Sequence, residues 1–107
     1  MATITRGPHD PTVEKVKAVL DEYEQLHPGS IASVYRQGIA SVRIRIVDAR
    51  YEGTTKGQRH DETWKFISDR LGDEDAEEVS VLLLLAPSEQ RKSFMNAEFD
   101  DPIPSHL

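Results

Sequence analysis

The stretch Val79-Ser80-Val81-Leu82-Leu83-Leu84-Leu85-Ala86 constrains this chain more than any other. It carries no charge and no polar/apolar alternation, so it predicts a strand covered on both faces or placed centrally in a sheet, not one with a wet side. Leucine is compatible with a helix here, but Pro87 closes the run and the acidic breaker Gly72-Asp73-Glu74-Asp75 precedes it, which favours a strand. The run is far shorter than the roughly 20 apolar residues that cross a bilayer. At 107 residues the chain has room for a single core, so its cover must come from the same domain.

That cover is visible as changes of period. Asp10-Pro11 reads as a helix start, and Val13, Val16, Leu20 and Tyr23 then form one apolar stripe continuing to Leu26, before His27-Pro28-Gly29. Residues 31–36 fit a strand, and Gln37-Gly38 a turn into a second strand. There Val42, Ile44 and Ile46 alternate with Ser41, Arg43 and Arg45, one face buried and one wet. Residues 48–57 read as a loop. A second helix is predicted with His60, Trp64, Ile67 and Leu71 on one face, and residues 76–78 add a short helical turn. Helix between the second and third strands makes their expected relation parallel, through a right-handed crossover. The fold class is therefore α/β (α+β) in the order αββα(α)β, a three-stranded sheet with helices on one face. Residues 1–9 read as a flexible arm, 10–90 as one domain, and 91–107 as a C-terminal extension, mostly extended beyond Phe94. The apolar Phe94, Phe99 and Ile103 suit that extension to docking or strand exchange, on this chain or a partner.

Composition excludes several functions. Without cysteine there are no disulfides, thiolate metal sites or cysteine nucleophiles, and any metal ligand must be His, Asp or Glu. A formal net charge of −6 disfavours nucleic acid as a partner. The N-terminus has no charged-then-apolar signal layout, and the chain is expected in the cytoplasm, away from membranes. No Gly-x-Ser-x-Gly elbow or arranged triad is visible, so no catalytic residue is assigned and a non-enzymatic role is expected.

His60 is the foremost candidate ligand, because an imidazole at a helix head, between Arg59 and Asp61, is able to bind a metal or exchange protons near neutral pH. The competing expectation is a half-buried ring packed on Trp64. His9, His27 and His106 show no zinc spacing with it. Gly53-Thr54-Thr55-Lys56-Gly57 lacks the spacing of a phosphate loop, and Asp73, Glu74, Asp75, Glu77 and Glu78 do not follow a calcium loop. Arg43 and Arg45 suit either an acidic partner or cross-strand pairing.

With these pieces in order, the chain resembles the BolA-like family. Residues 42–53 match that family's strand running into an aromatic-x-Gly loop, here Tyr51 and Gly53. Arg59-His60 matches its Arg-His helix start, and residues 79–89 match its last strand and Thr-Pro-Glu-like turn, here Ala86, Pro87 and Glu89. The resemblance covers about half the chain. It implies a type II KH-like fold and a role with monothiol glutaredoxins in iron–sulfur cluster handling, or in transcriptional regulation. In that reading His60 is the ligand to metal and cofactor, and Tyr51, Gly53 and Arg59 face the partner. No cofactor is expected in the isolated chain, only a cluster bridging it to a partner. The family's hairpin loop often adds a second His or Cys, which residues 35–40 do not offer, and the acidic, proline-containing extension is not a family feature. The acidic residues after Gly72 also replace the Gly-x-x-Gly loop of KH domains. The alternatives are a structural or protein-interaction subunit without metal, including a homo-oligomer built on Leu82, Leu84, Tyr51 or the tail, and, third, a KH-like nucleic-acid regulator.

Overall fold

The computed structural model describes residues 1–39 and 41–101. Its elements are β1 (Thr3–Arg6), α1 (Pro11–Leu26), β2 (Ile31–Arg36), β3 (Val42–Val47), α2 (Lys56–Leu71), α3 (Asp73–Glu77), β4 (Val79–Leu85) and α4 (Phe94–Asp100), with short 3-10 turns at Ala49–Tyr51 and Pro87–Glu89. The strands form one mixed sheet in the order β1-β2-β3-β4. β2 and β3 make the expected antiparallel hairpin, and β3 and β4 are parallel across the α2 crossover. No helix among the described residues is long and apolar enough to cross a membrane.

The α/β class and the β2-β3-α2-β4 order are as the periodicities require. Helix starts follow local chemistry. Asp10 accepts a hydrogen bond from the Val13 amide, with Pro11 in the first turn of α1. Thr55 and Gln58 close a reciprocal capping box on α2, and such a cap stabilises by about 1 kcal/mol. The core lies between the sheet and α1/α2. Val13, Val16, Leu20 and Tyr23 of α1 pack with Ala32, Val34, Val42, Ile44 and Ile46 of the sheet and Ile67 and Leu71 of α2. Leu26, expected at the end of the α1 stripe, is 58% exposed.

Four corrections follow. First, the sheet has four strands, because Thr3–Arg6, within the expected arm, pairs parallel with β2. The free edge of β2 offers a ladder of backbone groups, and the first residues are held there from outside: Ala2 N donates to Asp21 and the Met1 ammonium pairs with Glu24. Gly7 then leaves the strand at φ 77°, where a Cβ would meet the Arg36 carbonyl at 3.0 Å. Second, helices lie on both faces. Residues 94–100, expected to be extended, form α4 against the face opposite α1 and α2. Phe99, 1% exposed, meets Tyr35 edge-on at 4.8 Å, and the Tyr35 hydroxyl donates to Phe99 O. Arg43 pairs with Glu98 and Arg45 with Asp100 and Asn96. The supposedly wet arginine face is thus the seat of α4, and at least this part of the extension docks on its own chain. Ile103 and His106 lie outside the described residues.

Third, β4 is an edge strand despite its aliphatic sequence. Leu84 and Leu85 are buried, whereas Val79, Val81, Leu82 and Leu83 are only half-buried. Fourth, the inward face of α2 keeps Ile67 and Leu71 of the expected stripe, with Trp64 packed at its margin, but in its first two turns it is centred one residue earlier. Arg59, Thr63, Ile67 and Leu71 are buried, Trp64 is half-buried and His60 is exposed. Polar side chains take the inner positions because each finds partners there, as the site shows.

Candidate functional site

The head of α2 is built around Arg59, which is 4% exposed. Its guanidinium has five N–H donors, and all five have acceptors. Nε donates to Thr54 Oγ1 at 3.1 Å, one terminal nitrogen to Leu84 O at 3.1 Å and Glu89 Oε1 at 2.6 Å, and the other to Tyr51 O at 2.8 Å and Thr54 O at 3.0 Å. One side chain thereby ties the loop after β3, the end of β4 and the Pro87–Glu89 turn to the first turn of α2. The Arg59 hydrogen bond also holds the Glu89 carboxyl below its ordinary range, helped by the Ala86 amide. Arg59 has no donor left for a partner, so its place beside His60 is that of an internal clamp.

Tyr51, the aromatic of the loop match, is also buried. Its hydroxyl stands 2.8 Å from those of both Tyr23 and Thr63, and Tyr23 donates to Asp48 Oδ2 at 2.9 Å. Each hydroxyl has one proton and the carboxylate has none to give. The protons therefore run one way, Thr63 to Tyr51 to Tyr23 to Asp48. Burial raises both phenols, Tyr23 further through its bonds to Tyr51 and Asp48. This relay borders a cleft of about 240 Å³ that also meets His27, Arg50, Glu62 and Phe66. Sequence reasoning missed it, because its members come from α1, the end of β3, the loop and α2. The only local signal was Asp48, which also caps the turn after β3 through the Arg50 amide.

Gly53 is exposed with φ 76°, so it allows the tight return from the Tyr51 turn to Thr55. Of the residues assigned to a site, Gly53 and His60 face solvent and Tyr51 and Arg59 face inward. His60 accordingly does not have the half-buried setting of a core ring. Neither ring nitrogen bonds to any described residue, the neighbouring carboxylates Asp61 and Glu62 included. Its surroundings are a shallow groove of about 160 Å³ along β4, lined by Leu82 to Leu85 and by Lys56, Ser93 and Met95. A second hollow of about 500 Å³ shares Lys56, Leu85, Ser93 and Met95 with this groove and continues it past Phe94, 72% exposed.

Among the described residues no three His, Asp or Glu side chains converge as a metal site would require. Comparisons with protein-family models, curated protein sequences and solved structures give no match to this chain.

Proposed function

We propose that this chain is a non-enzymatic adaptor of the BolA-like kind, in which His60 provides one ligand to an iron–sulfur cluster shared with a monothiol glutaredoxin in the cytoplasm. The observation that carries the reading is the contrast between neighbours at the head of α2. Arg59 is locked by five internal hydrogen bonds, while His60, one residue on, is exposed with both ring nitrogens unengaged. A ligand needs an accessible nitrogen on a fixed backbone, and the clamp supplies the fixed backbone. The β2-β3-α2-β4 arrangement supports the same reading, since it is the order the resemblance implies.

The donor set fits a shared cluster and not a resident one. With no cysteine in the chain, thiolates must come from the partner. When bound, the cluster supplies electron storage. This chain's part is to hold one imidazole at a solvent-facing helix head.

The test mixes the protein with cluster-loaded monothiol glutaredoxin and follows the visible circular dichroism of the cluster and the mass of the complex. Wild type is expected to change the spectrum and co-migrate, and a His60→Ala variant with unaltered melting is expected to leave the spectrum as it was. An unchanged spectrum with wild type, or the same change with the folded variant, ends this reading.

A further inference from the structure

The edge position of β4 leaves an uncharged aliphatic strand with one unpaired side. Edge strands of soluble proteins are normally protected by Lys, Pro, a bulge or a covering element. Val-Ser-Val-Leu-Leu-Leu-Leu has neither Lys nor Pro over its seven residues, and its register irregularity lies at its beginning, before Leu82. The pairing from Leu82 to Leu85 is regular. Leu85 O turns to β3, where the Asp48 amide donates to it, so by alternation the backbone groups of Leu84 and Leu82 turn outward. Leu84 O is taken by Arg59. The Leu82 amide and carbonyl remain, at the middle of the strand.

The two ends of this edge carry opposite charge. At its beginning stand Asp73, Glu74 and Glu77, all exposed, and at its end Lys56, Arg91 and Lys92, also exposed. None of the six forms an ion pair among the described residues. We propose that β4 is a self-pairing edge, at which two copies of this chain join antiparallel about a two-fold axis through Leu82 and extend the sheet from four strands to eight. In that arrangement Val79 faces Leu85 of the second copy, and the acidic end of each strand meets the basic end of the other. A parallel pairing would set acid against acid. The Leu82 residues exchange both backbone bonds, and the half-buried Val81, Leu82 and Leu83 gain cover. The pairing uses backbone groups and charges and does not depend on any role of His60.

The experiment measures the mass of the full chain by sedimentation equilibrium, up to sub-millimolar concentration and at low and high salt. The wild type is expected as a dimer that salt weakens. A Lys56→Glu/Lys92→Glu chain and an Asp73→Lys/Glu77→Lys chain are each expected to self-associate at least ~10-fold more weakly, and a mixture of the two to recover the dimer, since opposite charges then face each other. Hydrogen exchange on the wild type provides a reading independent of the variants: the Leu82 amide should gain protection as concentration rises. A wild type that stays monomeric, a dimer indifferent to both reversals, or a Leu82 amide indifferent to concentration overturns the proposal. So does a monomer that instead captures an extended acidic and apolar peptide at this edge.

Discussion

Replacing Arg59 by methionine keeps an unbranched apolar stem and removes all five donors. Three carbonyls, the Thr54 hydroxyl oxygen and the Glu89 carboxylate then each lose a donor. The losses are unequal. Glu89 is 39% exposed on its side chain and turns to water at little cost, and the Thr54 carbonyl is only partly buried. The Tyr51 carbonyl keeps the Thr54 amide and hydroxyl as donors, so the buried Leu84 carbonyl is the one left unpaired, and a buried acceptor left unpaired costs about 1–3 kcal/mol. With the charge-assisted bond to Glu89 also gone, the expected destabilisation is about 2–3 kcal/mol, a sizeable share of the roughly 5–15 kcal/mol that holds a domain of this size. Arg59→Lys restores the charge without the planar fork, so about half that loss should remain. Urea unfolding followed by the fluorescence of Trp64, the one tryptophan, measures both. A lysine variant as stable as wild type, or a methionine variant within about 0.5 kcal/mol of it, would refute the clamp and return Arg59 to the surface role that the family resemblance implies. Carboxyl titration by NMR gives a second reading. Glu89 should rise toward its ordinary range in the methionine variant, because the bond that lowers it is gone.

Other consequences are as direct. Phe99→Ala should cost about 3 kcal/mol and expose α4 to limited proteolysis, since the ring is buried against Tyr35 and the Arg45 guanidinium; unchanged proteolysis would mean that α4 does not dock. Asp10 is held at about 2 by the Arg36 side chain, then by the Val13 amide, against the opposing effect of burial. Its folded value is thus depressed, so its contribution is complete above the usual carboxylate range and fades as pH falls from about 4 toward 2. Asp10→Ala should lower stability near neutral pH by about 1–2 kcal/mol and flatten the acid limb of the stability curve; an acid limb identical to wild type counts against the pair. Tyr23→Phe leaves Asp48 Oδ2 and the Tyr51 hydroxyl short of a partner, and should cost about 1–3 kcal/mol in denaturant unfolding with the fold retained, whereas no loss would show the relay to be satisfied otherwise.

The hairpin, the crossover and both long helices were legible because each has a period that one buried face imposes. What escaped had no period of its own. Thr3–Arg6 has one half-buried apolar residue and is a strand only because β2 lies beside it. Residues 94–100 are too short for a stripe. Their helix depends on a Ser93 cap and on a sheet face where Tyr35, Arg43 and Arg45 wait for Phe99, Glu98 and Asp100. The α2 stripe was right at Ile67 and Leu71, but its first half was misread by one position because hydrophobicity does not mark Arg59 or Thr63, whose polar groups are satisfied inside. That rotation matters for the site, since it turns His60 out of the core. The aliphatic run correctly indicated a strand, but an absence of charge is shared by central strands and by edges meant for pairing.

The arginines bear on the choice among partners. A nucleic-acid reading of this fold would draw on Arg43, Arg45, Lys56 and Arg59. Arg43 and Arg45 lie under α4, engaged with Glu98, Asn96 and Asp100, and Arg59 is spent inside the domain. Only Lys56 of the four stands exposed without an ion-pair partner among the described residues. Neutralising phosphates takes several cations at once, because affinity grows with each counterion released. Uncovering the arginines would mean lifting Phe99 from its seat. Among the groups that face solvent without an ion-pair partner, those that lie together are of another kind: one imidazole, an aliphatic strand edge, and charges of opposite sign at its ends. Backbone ladders and paired charges suit a folded protein surface better than a polyanion, which is why both proposed partners, a second copy at β4 and a cluster carrier at His60, are proteins.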